Sequence, residues 1–105
     1  MSGRLAQRHV LVTGAGGGIG LAMAQACVQE GANVSIVDRS AQASDGVERL
    51  QLQHPGAAHY LSADVTRPDD VQALLDGALA HFGPVHTLIN NAAVFEMAPL
   101  LEADA

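Results

Sequence analysis

Between an apolar run, His9-Val10-Leu11-Val12, and a helical pattern starting at Leu21 lies Thr13-Gly14-Ala15-Gly16-Gly17-Gly18-Ile19-Gly20. No other stretch restricts the fold of this chain so strongly. A β-rich run, a glycine-rich turn and a helix, in that order, form the first unit of a dinucleotide-binding fold. Residues without Cβ let the backbone turn sharply and let a pyrophosphate approach main-chain N–H groups. The free N–H groups and positive dipole of the following helix then face that anion. A G-x-G-x-x-G reading fails because Ile19 stands where its last glycine belongs, whereas G-x-x-x-G-x-G fits through Gly14, Gly18 and Gly20. A G-x-x-x-x-G-K-[ST] phosphate loop is excluded, since the chain has no lysine. Taken alone, the run also reads as a tight structural turn, so its context must decide.

That context is one α/β unit. The 105 residues allow a single domain, and with 49% hydrophobic and 15% charged residues the chain should fold. A net charge of −6 with five arginines argues against a nucleic-acid surface and leaves small molecules or protein as partners. Cys27, the only cysteine, excludes a disulfide framework or a C-x-x-C pair and reads as a buried inert thiol. No segment has the length and apolarity of a signal peptide or membrane span, so a cytoplasmic protein without a membrane partner is expected.

The first strand is expected over His9–Thr13 and the first helix from about Ile19 to Glu30, stopped at Gly31. Ile19, Met23, Ala26, Cys27 and Glu30 lie at helical spacings and supply its packing stripe. Asn33–Asp38 reads as a second strand, which makes a right-handed βαβ unit with parallel strands. A weaker helix follows over Ser40–His54, then a third strand over Ala58–Ala63. The third helix, about Pro68 to Phe82, carries a clear stripe of Val71, Leu74, Leu75, Ala78, Leu79 and Phe82, with Thr66 and Asp69 placed for a capping box. Val85–Asn90 completes a fourth strand. The expected architecture is a Rossmann-type doubly wound parallel sheet in the order 3-2-1-4, with helices on both faces.

Asp38 closes the second strand eighteen residues after Gly20, where a carboxylate can accept hydrogen bonds from adenosine ribose hydroxyls. It would also repel a 2′-phosphate, which favours NAD over NADP. Arg39 argues the other way, because a guanidinium just past the strand can pair with that phosphate. The alternative for Asp38 is a solvated turn residue capping the next helix. Asp64-Val65 arrive at the same sheet edge and can meet adenine. The fourth strand runs into Asn91-Ala92-Ala93, where amides can tie neighbouring loops and small side chains leave room for a flat ring.

Thr13-Gly14-x-x-x-Gly18-x-Gly20, Asp38, Asp64-Val65 and Asn90-Asn91-Ala92-Ala93 together resemble the short-chain dehydrogenase/reductase family in its NAD-using form. The resemblance implies pyrophosphate contact at Gly14, Gly18, Ile19 and Gly20, ribose contact at Asp38, adenine contact at Asp64 and Val65, and nicotinamide-ribose packing at Asn91, Ala92 and Ala93. Ala93 departs mildly from the glycine usual in that family. The segment Ala92-Ala93-Val94-Phe95-Glu96-Met97-Ala98-Pro99-Leu100 is similar to the sorbitol and other polyol dehydrogenases of the family. The match covers only the family's cofactor-binding amino-terminal half. Residues 1–105 therefore read as the dinucleotide-binding portion of an oxidoreductase, ending before the catalytic segment.

Oxidising an alcohol by hydride transfer requires a group to take the hydroxyl proton. The family uses Tyr-x-x-x-Lys with a serine and an asparagine, all on later segments. Here Tyr60 is the only tyrosine, Asp64 stands four residues after it, and no lysine exists, so no catalytic residue is assigned. The histidine pairs His54/His59 and His81/His86 are each interrupted by a proline-glycine turn, so the histidines read as surface or helix-end groups and no metal site is expected.

The reading is then hydride transfer between NAD and a secondary alcohol or ketone, a polyol such as sorbitol being the expected substrate class. Two alternatives stand beside it. Arg39 supports an NADPH-dependent carbonyl or oxoacyl reductase. A non-catalytic NAD-binding module is the other, opposed by the uncovered edge strand with Val85, Leu88 and Ile89. The family commonly assembles through helices beyond this segment, so a full-length parent is expected to be a homo-oligomer.

Overall fold

The computed structural model of the chain describes residues 4–91. Four strands and three helices alternate: β1 (His9–Thr13), α1 (Gly18–Gln29), β2 (Asn33–Asp38), α2 (Asp45–Gln53), β3 (Ala58–Ser62), α3 (Pro68–Phe82) and β4 (Thr87–Asn90). The strands form one parallel sheet in the order β3-β2-β1-β4. This is the Rossmann-type arrangement expected from the sequence, with the order reversing beside β1.

Alternation along the buried strands explains why helices cover both faces. Val10 and Val12 of β1 and Val34 and Ile36 of β2 join Ala24 and Val28 of α1 and Val47 and Leu50 of α2 in one core. On the other face, Leu11 and Val37 pack with Val71, Leu74 and Ala78 of α3. Every residue of β1 is buried. Burying a side chain such as Leu11 or Ile36 contributes about 1.5–3 kcal/mol, and these residues hold the strand ends where the glycine loop begins.

The packing stripe of α1 differs from the expected one. Its buried residues are Gly20, Ala24 and Val28, while Ile19 is 72% exposed. The reason is distance: a Cβ on Gly20 would collide with the Gly14 carbonyl oxygen and lie 2.9 Å from Ala15 Cα. Only small side chains allow the first turn of α1 to come that close to the loop, so the bulky residues turn outward.

Two other expectations change. The second helix starts at Asp45, not near Ser40, with Ser44 as its N-cap. The Thr66/Asp69 capping box does not form: α3 has Arg67 at its N-cap with no side-chain cap bond. Instead Asp64 Oδ1 accepts the Thr66 amide at 3.0 Å and its hydroxyl at 2.6 Å, while Asp70 Oδ2 accepts the Asp64 amide at 2.9 Å.

His9 and His59 differ from the surface or helix-end groups expected, whereas His81 and His86 are exposed and His54 caps α2. His9 is buried, its Nε2 2.7 Å from Ser35 Oγ and its Nδ1 2.9 Å from the Gly83 carbonyl. His59 stacks on His81 with ring centroids 3.8 Å apart, and the Phe82 ring meets His9, His59 and His81 edge-on. His86 Nδ1 accepts the His9 amide at 2.9 Å. This group sits at the amino ends of the strands. No cluster of three or more His, Cys, Asp or Glu side chains able to hold a metal occurs among the described residues.

Candidate dinucleotide site

The loop from Thr13 to Gly18 leaves β1 at the carboxyl edge of the sheet and enters α1 there. Gly14 and Gly18 have φ of 64° and 58°, in the left-handed region that side chains disfavour. The N-cap of α1 is Gly17, with no side-chain cap bond and no acidic residue in the first turn. No carboxylate of the helix itself therefore competes for its amino end, which suits an anion.

Asp38, at the end of β2, is held before any ligand arrives. Its Oδ2 accepts the Gly16 amide at 2.7 Å and its Oδ1 accepts the Arg39 amide at 2.7 Å. Each oxygen keeps a further lone pair, so the oriented carboxylate can still accept from a pair of vicinal hydroxyls. Gly16 has no room for a side chain, since its Cβ would lie 2.6 Å from Asp38 Oδ2. Backbone bonds seat the same strand end between its neighbours: the Ala15 amide donates to the Val37 carbonyl at 3.0 Å and the Ala63 amide to the Asp38 carbonyl at 2.9 Å.

A cleft opens at this edge, lined by Gly14, Val37, Asp38, Arg39, Ala63 and Val65. Its lining is mostly apolar, with Asp38 and Arg39 as its two charged residues, a composition suited to a purine ring with a ribose beside it. Val65 is part of this lining. The Asp64 side chain is turned to Thr66, whose hydroxyl and then amide hold its carboxyl below the usual carboxylate range, so the carboxylate stays ionised.

On the far side of β1, Thr13 Oγ1 donates to Asn90 Oδ1 at 3.1 Å and accepts the Asn91 amide at 3.1 Å. Asn91 Nδ2 donates to the Gly14 carbonyl at 3.2 Å. The amide ties the end of β4 to the glycine loop. Ala92 and Ala93, and the 92–100 segment similar to polyol dehydrogenases, lie outside the described residues.

Gly14, Gly18, Ile19, Gly20, Asp38, Val65 and Asn91 thus gather at one sheet edge, with Asp64 beside them facing its own turn. Sequence reasoning missed Ser44, whose Oγ donates to the Gly16 carbonyl at 2.5 Å. The helix-start pattern Ser44-Asp45, with Glu48 in the same turn, carried the signal for its capping role but not for this contact.

Tyr60 is half-buried, and its hydroxyl donates to the Ser40 carbonyl. Burial, and then the negative charge of Asp38, push its phenol up. That is opposite to the lowered pKa a proton-accepting tyrosine needs. Burial likewise raises the half-buried Cys27 thiol, in keeping with an inert side chain.

A family model described as short chain dehydrogenase matches residues 8–105. The chain is 42% identical over 90 residues to a probable galactose dehydrogenase of Rhizobium meliloti, covering 85% of this chain and 35% of that protein. It is 37% identical over 100 residues to a sorbitol dehydrogenase of Cereibacter sphaeroides, covering 94% of this chain and 38% of the relative. Among solved structures, a 3-ketoacyl-(acyl-carrier-protein) reductase from Brucella melitensis complexed with NADH superposes with a TM-score of 0.71 at 39% identity, over 80% of this chain and 34% of that one. The chain thus spans little more than a third of the length of these relatives.

Proposed function

The chain belongs to the short chain dehydrogenase family, and from that premise we propose that residues 1–105 are a dinucleotide-binding portion that seats NAD for hydride exchange with a secondary alcohol or ketone. The observation that carries the choice of NAD is the Asp38 carboxylate, fixed by the Gly16 and Arg39 amides in the lining of the cleft. A fixed negative charge there accepts from ribose hydroxyls and repels a 2′-phosphate. The residues present fit such a group: Gly16 and Gly20 sit where any Cβ would clash, and Gly14, Ala63 and Val65 leave the lining mostly apolar.

In this reading Gly14, Gly18, Ile19 and Gly20 surround the pyrophosphate, Asp38 holds the adenosine ribose, and Val65 with the Asp64 turn borders adenine. Asn91, Ala92 and Ala93 border the nicotinamide ribose. When bound, NAD supplies the hydride acceptor. Residues 1–105 supply position and charge, not the base: their only tyrosine has its phenol pushed up, and they contain no lysine. The parent protein would carry Tyr-x-x-x-Lys downstream, act in the cytoplasm as a homo-oligomer, and use a polyol. Similarity to galactose and sorbitol dehydrogenases supports that substrate class.

Calorimetric titration of the full-length protein with NAD and NADP tests the cofactor assignment. NAD is expected to bind more tightly, and Asp38→Ala to weaken NAD by about tenfold, the scale of a hydrogen bond to a charged group. Tighter binding of NADP by the wild type would overturn it. Arg39, also in the lining of the cleft, favours a second reading as an NADPH-dependent carbonyl or oxoacyl reductase. In that case Arg39→Ala, not Asp38→Ala, abolishes the cofactor preference.

A further inference from the structure

Asp38, the last residue of β2, and the segment 39–44 that leads on to α2 carry the groups that would meet the 2′ position of an adenosine. That segment is tied at three points. The Arg39 amide donates to Asp38 Oδ1 at 2.7 Å, the Tyr60 hydroxyl donates to the Ser40 carbonyl, and Ser44 Oγ donates to the Gly16 carbonyl while accepting the Val47 amide at 3.3 Å. The Gly16 amide, on the other side of the same residue, donates to Asp38 Oδ2 at 2.7 Å. Gly16 is thus gripped through both its N–H and its C=O by the two ends of one connecting segment. Neither Ser44 nor Tyr60 lines the cleft.

We infer that Ser44 and Tyr60 are positioning residues that fix Asp38 and Arg39 so that the site distinguishes a 2′-hydroxyl from a 2′-phosphate. The inference rests on the dinucleotide reading above and adds residues to it. Repulsion of a phosphate by Asp38 discriminates only while the carboxylate cannot swing away, because Coulomb energy falls with distance and with solvent entering between the charges. Arg39 follows Asp38 directly, so any backbone rotation that retracts the carboxylate changes where the guanidinium lies. Ser44 stops that rotation at the loop's far end by holding Gly16. Tyr60 stops it next to Arg39, from the neighbouring strand, by holding the Ser40 carbonyl. A phenol pushed up by burial and by Asp38 stays protonated and keeps its donor role.

The test uses the full-length protein and four probes: NAD, NADP, ADP-ribose and 2′-phospho-ADP-ribose, each titrated to a dissociation constant. Ser44→Gly removes the donor but retains most of the capping ability of serine, and Tyr60→Phe removes only the hydroxyl. Each is expected to lower the NAD-over-NADP affinity ratio by roughly fivefold, the scale of one neutral hydrogen bond. The same fall is expected with the two ADP-ribose probes, which lack nicotinamide, and Ser44→Thr, which keeps a hydroxyl, should restore the ratio. A purely structural role for these residues would lower the melting temperature and leave both ratios unchanged. Unchanged ratios in Ser44→Gly and Tyr60→Phe, with NAD still bound, overturn the positioning roles alone. A wild-type protein that binds none of the four probes overturns the dinucleotide site and the inference with it. If Ser44→Gly fails to fold, Tyr60→Phe decides by the same criterion.

Discussion

Gly16 donates its amide proton to the Asp38 carboxylate at 2.7 Å, and a methyl group on Gly16 would lie 2.6 Å from the same oxygen. Glycine and carboxylate therefore form one unit, although 22 residues separate them in the chain.

Coupling between them is the first expected outcome. Gly16→Ala must displace the Asp38 side chain, so it should weaken NAD by about the same factor as Asp38→Ala, roughly tenfold. The double variant should lose little more than either single one, giving an interaction energy of about 1 kcal/mol in a double-mutant cycle. Additive losses in titrations of the full-length protein would mean that the two act separately.

Gly20 and Gly17 offer a contrast within the same loop. A Cβ on Gly20 meets backbone atoms of Gly14 and Ala15, which cannot give way as a flexible side chain would. Gly20→Ala is expected to destabilise the fold by about 1–3 kcal/mol, the usual cost of overpacking. A Cβ on Gly17 meets nothing within 4 Å, and its backbone is extended at φ −166°. Gly17→Ala should remain within about 0.5 kcal/mol of wild type. Urea denaturation of both variants checks the pair.

Thr13→Val keeps the shape of a buried side chain and removes the hydroxyl that joins Asn90 Oδ1 to the Asn91 amide. A loss of about 1–3 kcal/mol is expected, since polar groups at the end of β4 lose a partner without gaining water freely. Thr13→Ser, which keeps the hydroxyl, should lose less. Equal losses in the two variants would attribute the effect to packing.

A pH dependence follows from the stacked pair His59 and His81. Burial, and then the charge of His81, hold His59 below its ordinary value of 6.5. Its Nδ1 is buried without a hydrogen-bond partner among the described residues. The folded state thus binds fewer protons than the unfolded chain between the lowered value and 6.5. The stabilising contribution is complete above 6.5 and is lost as pH falls from there through the folded-state value. Denaturation midpoints between about pH 7.5 and about pH 5 should fall for wild type and fall less for His59→Gln. Parallel curves would show that other groups carry the dependence.

Much of the fold was legible because its signals are local. Apolar β-rich runs and turn residues define β1 and β2, the apolar stripe with Gly83-Pro84 defines α3, and the strand-helix alternation sets a parallel sheet. The segment before α2 was not legible in the same way. Its conformation comes from bonds to Gly16 and Tyr60, which no periodicity reports. The inward stripe of α1 was misread because hydrophobicity ranks Ile19 above Gly20, whereas close packing on the loop ranks them in reverse. The burial of His9 depends on Ser35 and Gly83, which topology alone brings to it. Of the candidate site, Gly14, Asp38 and Asn91 are placed by the strand ends the sequence marks, while Ser44 enters through a tertiary contact.

His9, His59 and His81, which meet Phe82, and His86, which accepts the His9 amide, lie at one end of strands whose other end carries the glycine loop and Asp38. Five residues of extended chain put these two poles about 17 Å apart. At that range, and through salt water, a proton gained at one pole exerts little direct force on the other. Acid tolerance and the proposed dinucleotide site are therefore separate engineering handles: redesign of the histidine pole should harden the protein against low pH and leave the glycine loop and Asp38 as they were.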